Sequence, residues 1–209
     1  MASTATVRPV RPGSRASRPS AILDAAIEVF LEQGFSNASM AQIAARARAS
    51  KETIYNHFGS KEQLFAAIVE AMSQRIVSDF DLVDTGDVRA SLTAFGRGLL
   101  DVVLDPTTTA LYRVIIAEAP RLPDLGPTFF AHGPLKTLNR LTGYLRAATE
   151  AGRLSCDDPD EAAALLSSML VGIHWQRSII GAAPPLPAPA RPHWVDACID
   201  MFLSRYGPA

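Results

Sequence analysis

Apolar residues recur at helical spacing along almost the whole chain, and no stretch sustains the period-two alternation of a half-buried strand. Ile22, Ala26, Val29 and Phe30 share one helical face, and Gly34 is suited to end that helix in a left-handed conformation. Ser39 stands three residues before Gln42, a capping-box spacing that opens a short helix through about residue 47. Ser50 can cap a second short helix over 51–57, which Gly59 ends. Ser60 with Gln63 repeats the capping-box spacing and opens a long helix toward residue 77. Further helices are expected over 88–104, 109–119, 125–151, 159–180 and 192–205. Gly133-Pro134 should break or kink the third of these, because proline removes a donor and clashes with the preceding turn. Five prolines make 181–193 an extended connector. The predicted fold is all-α.

Composition narrows the class. With 209 residues and 48% hydrophobic content, the chain can bury a core without staples, as one domain or two small ones. Cys156 and Cys198 are too few for a disulfide framework and show no metal-ligand spacing. No apolar run approaches the roughly 20 residues of a membrane span. Residues 1–18 are rich in Arg and Pro without an apolar segment, so they read as a disordered arm and not a secretory signal. A soluble cytoplasmic protein is expected. The net charge of −1 hides an asymmetry: Arg8, Arg11, Arg15, Arg18, Arg46, Arg48, Lys51 and Lys61 outnumber the acids of the first 61 residues. The remainder is acidic, so a polyanion would meet the N-terminal part.

Residues 39–61 carry the chemistry. Two short capped helices separated by Arg48-Ala49-Ser50 have helix-turn-helix dimensions. Ile43, Ala47, Ala49 and Ile54 would face inward, with Ala44 small at the crossing. The opposite face of the second helix offers Lys51, Glu52, Thr53, Tyr55, Asn56 and His57 to a major groove about 12 Å wide. By spacing alone, two ordinary short helices of a bundle remain an alternative.

The run IAARARASKETIYNHFGSKEQLF closely resembles the DNA-binding signature of the TetR family of bacterial transcriptional regulators, and the likeness extends back through ILDAAIEVFLEQGF. The resemblance implies an all-helical homodimer. It would have one N-terminal three-helix helix-turn-helix domain per subunit (19–66) and a C-terminal helical bundle (67–206) that dimerises and binds a small-molecule inducer. On that basis Ser39, Tyr55 and Lys61 look like phosphate-positioning residues. Lys51, Glu52, Thr53 and Asn56 are candidates for base edges, with Ser50 at the helix start. His57 reads as structural or as a phosphate contact. Arg48 departs from the glycine usual at this turn. Either the turn differs here, or Arg48 touches phosphate. The arginine-rich arm is equally readable as a solvated tail or a minor-groove contact.

The stretch LYRVIIAEAPRLPDLGPTFFAHGPLKTL resembles the C-terminal domain of the AefR-like subgroup. Pocket candidates are Phe95, Tyr112, Arg113, Ile116, Phe129, His132, Tyr144, Met169 and Trp175, each readable also as a core residue. These side chains favour an uncharged or anionic organic ligand with aromatic or aliphatic bulk. In the family the last two helices usually form the dimer interface. Leu166, Leu170, Ile173, Trp194, Cys198, Met201 and Phe202 are the candidates here, with Gly172 expected to allow a close approach at the crossing. Glu118, at a helix end before Pro120, reads as structural.

Nothing points to catalysis. The four histidines lie on separate segments, with no HExxH pair, phosphate loop or nucleophile elbow, so neither cofactor nor metal is expected. Asp157-Asp158 should raise the Cys156 pKa and disfavour a thiolate. The expectation is a ligand-released repressor that binds a palindromic operator as a homodimer. An activator or ligand-independent regulator on the same fold is the alternative. A helical small-molecule-binding or interaction protein with a vestigial helix-turn-helix is the reading from a different class.

Overall fold

The computed structural model describes residues 19–78 and 86–208, apart from the side chains of 75–78. The expected arm, 1–18, lies outside the described residues. Among those described the secondary structure is entirely helical: α1 (Pro19–Asn37), α2 (Met40–Ala47), α3 (Lys51–Phe58), α4 (Lys61–Ser78), α5 (Val88–Val103), α6 (Pro106–Glu118), α7 (Leu125–His132), α8 (Pro134–Glu150), α9 (Pro159–Ile179) and α10 (Arg191–Tyr206).

Local chemistry sets most boundaries. Gly34, at φ 78° and ψ 164°, breaks α1 before its last turn. Ser39 and Gln42 complete the capping box of α2, and the Ser50 hydroxyl accepts the Thr53 amide at the start of α3. Asp87, Asp105 and Asp158 cap α5, α6 and α9 through amides of their first turns. α6 starts earlier than the apolar pattern suggested, because Asp105-Pro106 supplies both the cap and a first-turn proline. The break at Gly133-Pro134 separates α7 from α8 as expected. Within the proline-rich connector, 188–190 form one turn of 3-10 helix that runs into α10.

At φ 29° and ψ −135° Gly172 bends α9. Within the subunit a Cβ there would meet no described atom within 4 Å.

Two apolar clusters form. One joins α5, α8, α9 and α10 around Leu92, Leu100, Leu141, Leu166, Leu170 and Phe202. The other gathers Ile22, Phe30, Ile43 and Ile54 with Leu64, Phe65 and Ile68 of α4, and also Leu111 and Ile115 of α6 and Leu125 of α7. Phe30, Phe35 and Phe65 meet edge-on or tilted, at centroid distances of 5.2–6.1 Å. The expected boundary at residue 66 thus falls inside α4, and helices of the C-terminal part supply apolar residues to the N-terminal cluster.

Candidate nucleic-acid interface and effector cavity

α3 is held against α2 by one deeply buried residue, Ile54, over Ile43 and Ala44. Burying Ile54 turns Lys51, Glu52, Tyr55, Asn56 and His57 outward, and all five are exposed. Thr53 is half-buried, its hydroxyl 2.7 Å from that of Ser50. Lys51 reaches over the ring of Tyr55, 5.7 Å from its centre, one helical turn on. The expected base-reading side chains therefore share one solvent-facing surface.

The turn that aims α3 rests on an uncommon conformation. Arg48 adopts φ 52° and ψ 36°, the left-handed region, and its amide donates to the carbonyls of Ala44 and Ala45. Arg48 is exposed and makes no ion pair with the described residues. Arg46 behaves differently. It pairs with Glu28 at 2.9 Å and Glu32 at 2.7 Å, tying α2 to α1 and holding the Glu32 carboxyl below its usual pKa. One cation of the basic front is thus spent within the fold.

Two of the phosphate-positioning candidates are also committed internally. The Ser39 hydroxyl belongs to the capping box, bonded 2.7 Å from Gln42 Oε1. Lys61 Nζ donates to the carbonyls of Phe35 at 2.7 Å, Ser36 at 3.3 Å and Ala38 at 2.9 Å. An ammonium has three donors, so the whole complement of Lys61 goes to the end of α1. That role, pinning one helix to the next, corrects the phosphate assignment. The charge count could not show it, because it needs the α1 loop folded over α4.

Behind this interface lies a cavity of about 450 Å³ walled by α4 to α9. Tyr112, Phe129 and Trp175, three of the pocket candidates, line it. Their rings meet edge-on, with Tyr112 4.6 Å from Phe129 and 5.2 Å from Trp175. Burial pushes the Tyr112 phenol up to about 12. The Trp175 indole nitrogen is buried without a hydrogen-bond partner. Among the described residues no charged side chain lines the wall, whose polar members include serines and threonines such as Ser73, Thr108, Thr137 and Ser167.

The other cavity candidates lie elsewhere. Phe95 and Tyr144 belong to the C-terminal cluster, and Met169 packs against it. Ile116 faces solvent. Arg113 donates to the carbonyls of Ser178 and Ile179 at the end of α9, at 2.7 and 2.9 Å. His132 Nδ1 sits 2.9 Å from the Thr128 carbonyl. The sequence reading did not single out the α4 face, Phe65, Val69, Met72 and Ser73, which also lines the cavity.

The dimer candidates divide similarly. Leu166, Leu170, Cys198 and Phe202 are buried in the subunit's own core, which corrects their assignment to a partner-facing surface. Trp194 donates through Nε1 to the Leu170 carbonyl at 2.9 Å and stacks edge-on against His174. Ile173 and Met201 are exposed, joined by Leu165 and Ile180, which the sequence reading did not single out. Both cysteines are buried, and burial is the main cause that raises their pKa. At Cys156 the Asp157 charge adds only the smallest contribution. No helix of the described residues is long and apolar enough to cross a membrane. No cluster of metal-ligating side chains occurs among them.

The comparisons with known proteins agree with this architecture. Residues 22–68 match the bacterial regulatory proteins of the tetR family, and residues 90–208 match the C-terminal domain of AefR-like transcriptional repressors. The HTH-type transcriptional regulator SrpR of Pseudomonas putida is 32% identical over 97 residues, covering 46% of this chain and 45% of SrpR. The chain therefore aligns with about half the length of that relative. A structure described as a TetR-family transcriptional regulator from Mesorhizobium loti superposes with a TM-score of 0.78 at 30% identity, over 93% of this chain and 99% of that one. The flavonoid-responsive regulator FrrA superposes at 0.74 and 33% identity, over 91% and 97%. The helix-turn-helix face, the helical domain behind it and the matched segments place the chain in the TetR family of DNA-binding transcriptional regulators, with an AefR-like C-terminal domain.

Proposed function

We propose that the protein is a cytoplasmic repressor that binds a palindromic operator as a homodimer and is released by an uncharged aromatic effector. The observation that carries this reading is the uncharged, aromatic-walled cavity bounded by α4, which begins three residues after α3 ends. Each subunit, divided near residue 66 into DNA-binding and effector-binding parts, would set Lys51, Glu52, Thr53, Tyr55, Asn56 and His57 in one major groove, with Arg48 and Ser50 at its edge. Half-sites one helical turn apart require about 34–36 Å between the two α3 helices. An effector that moves α4 changes that separation, and a differential affinity of about 5.5 kcal/mol takes the population from 1:99 to 99:1. Burying an ion against a described lining that carries no countercharge is costly, which favours a neutral ligand over an anionic one. The FrrA likeness supports a flavonoid-like ring system, and the unmet Trp175 donor suits a ligand carrying an acceptor oxygen. The partner copy would dock on the face around Leu165, Ile173, Ile180 and Met201.

Selection of bound duplexes from a random pool at several salt concentrations tests this. A palindromic consensus with a steep salt slope supports the dimeric regulator. Sequence-blind, weak retention would overturn it and favour a helical ligand-binding protein.

A further inference from the structure

α6 is in contact with both working parts of the molecule. Thr108, Leu111, Tyr112 and Ile115 line the cavity, while Leu111 and Ile115 also enter the N-terminal cluster. Its last residue, Glu118, reaches the last turn of α1, beyond the break at Gly34. Glu118 Oε1 accepts the Ser36 amide at 3.4 Å, and Oε2 accepts the Ser36 hydroxyl. Gly34 makes room for this approach, since a Cβ there would lie 2.8 Å from Glu118 Oε1. Only Ala38 and Ser39 separate that turn from α2, and Ser39 already caps α2. The position of the turn therefore sets where α2, and α3 packed on it, can lie.

We infer that Glu118 is a positioning residue, a latch by which α6 holds the segment 34–38, the last turn of α1 and the residue after it, in the DNA-binding arrangement and which is released when the cavity fills. The ligand part of this inference rests on the reading under Proposed function. A 13-residue helix transmits displacement along its axis because each turn is hydrogen-bonded to the next. A shift of the Tyr112 face is thus felt at Glu118, six residues on. The latch is charge-assisted at the carboxylate, and its donors belong to the DNA-binding part.

The test begins without ligand. Operator affinity is measured for S36A, E118A, the double variant and S36T, with melting temperatures alongside. S36A and E118A should each weaken operator binding about fivefold. In the E118A background S36A should have no further effect, because the pair acts as one unit. S36T keeps the hydroxyl and should bind as the wild type does, with melting temperatures unchanged. Additive losses, an unaltered operator affinity, or S36T as weak as S36A would overturn the latch. Flavone, the uncharged parent of the flavonoids, then serves as the probe. If the latch favours the DNA-binding form, E118A should bind flavone more tightly as it binds operator more weakly, since the two affinities are linked. Weakened operator binding with unchanged flavone affinity would mark a merely structural contact and reject the latch. If flavone neither binds nor releases the wild type, the effector reading fails, and the latch is decided by the ligand-free cycle.

Discussion

The Lys61 ammonium caps the end of α1 on the Phe35 carbonyl, 2.7 Å away, and lies 4.6 Å from the centre of the Phe35 ring. One side chain thus joins the first turn of α4 to the helix that begins the DNA-binding part. Lys61→Met keeps the aliphatic stem and deletes the donors. It should lower stability by about 2 kcal/mol, the scale of hydrogen bonds to charged groups. The slope of operator affinity against salt should stay unchanged. Thermal melts and binding across salt concentrations separate the two roles. A slope flatter by about one unit at unaltered stability would restore a phosphate contact.

At Arg48 the left-handed turn and the exposed guanidinium make opposing demands. A non-glycine residue there costs about 1–2 kcal/mol. Arg48→Gly should therefore raise the melting temperature while weakening binding to any duplex. Equal affinity for DNA in the two proteins would show that the side chain touches no phosphate.

Tyr112 should titrate late. Its phenol holds the proton to about 12, against an ordinary value of 10.0, because burial disfavours the phenolate. Between those values the folded chain keeps a proton that the unfolded chain has lost, so stability falls as pH rises through that window. Absorbance titrations of the wild type and of Tyr112→Phe should differ by one phenol that ionises near 12, and the substitution should flatten the alkaline loss of stability. A Tyr112 phenol that ionises at the ordinary value of 10.0 would mean that the cavity wall is open to water.

Ile173 and Met201 are 50% and 65% exposed on the outer faces of α9 and α10. Replacing both with Asp should leave the helical content intact and shift sedimentation to the monomer, with operator affinity falling steeply. Leu166→Asp should instead unfold the C-terminal cluster, because that residue is fully buried within the subunit. A dimer that survives the Ile173 and Met201 substitutions would place the interface elsewhere.

Much of the helical framework was legible because its signals are local. A capping box needs only Ser39 and Gln42, and a helix break needs only Gly133-Pro134. The outward face of α3 was legible for a similar reason, since burying Ile54 fixes which residues of a short helix face solvent. Cavity and interface were harder. An apolar residue on α9 looks alike in sequence whether it faces its own core, as Leu166 does, or solvent, as Ile173 does. Arg113 and Lys61 read as ligand and phosphate contacts because their partners are main-chain carbonyls 65 and 26 residues away. Such acceptors leave no mark on the sequence.

The N-terminal core is completed by Leu111, Ile115 and Leu125, which belong to α6 and α7. The DNA-reading part is therefore not a detachable module. A chimera that grafts residues 1–66 onto another regulator's sensor inherits an unfinished core and needs matching apolar residues from the new host. A transplant that carries the α6 and α7 faces along keeps the seam sealed. Exchange of specificities between such regulators is constrained by the apolar side chains of α6 and α7 that cross the seam.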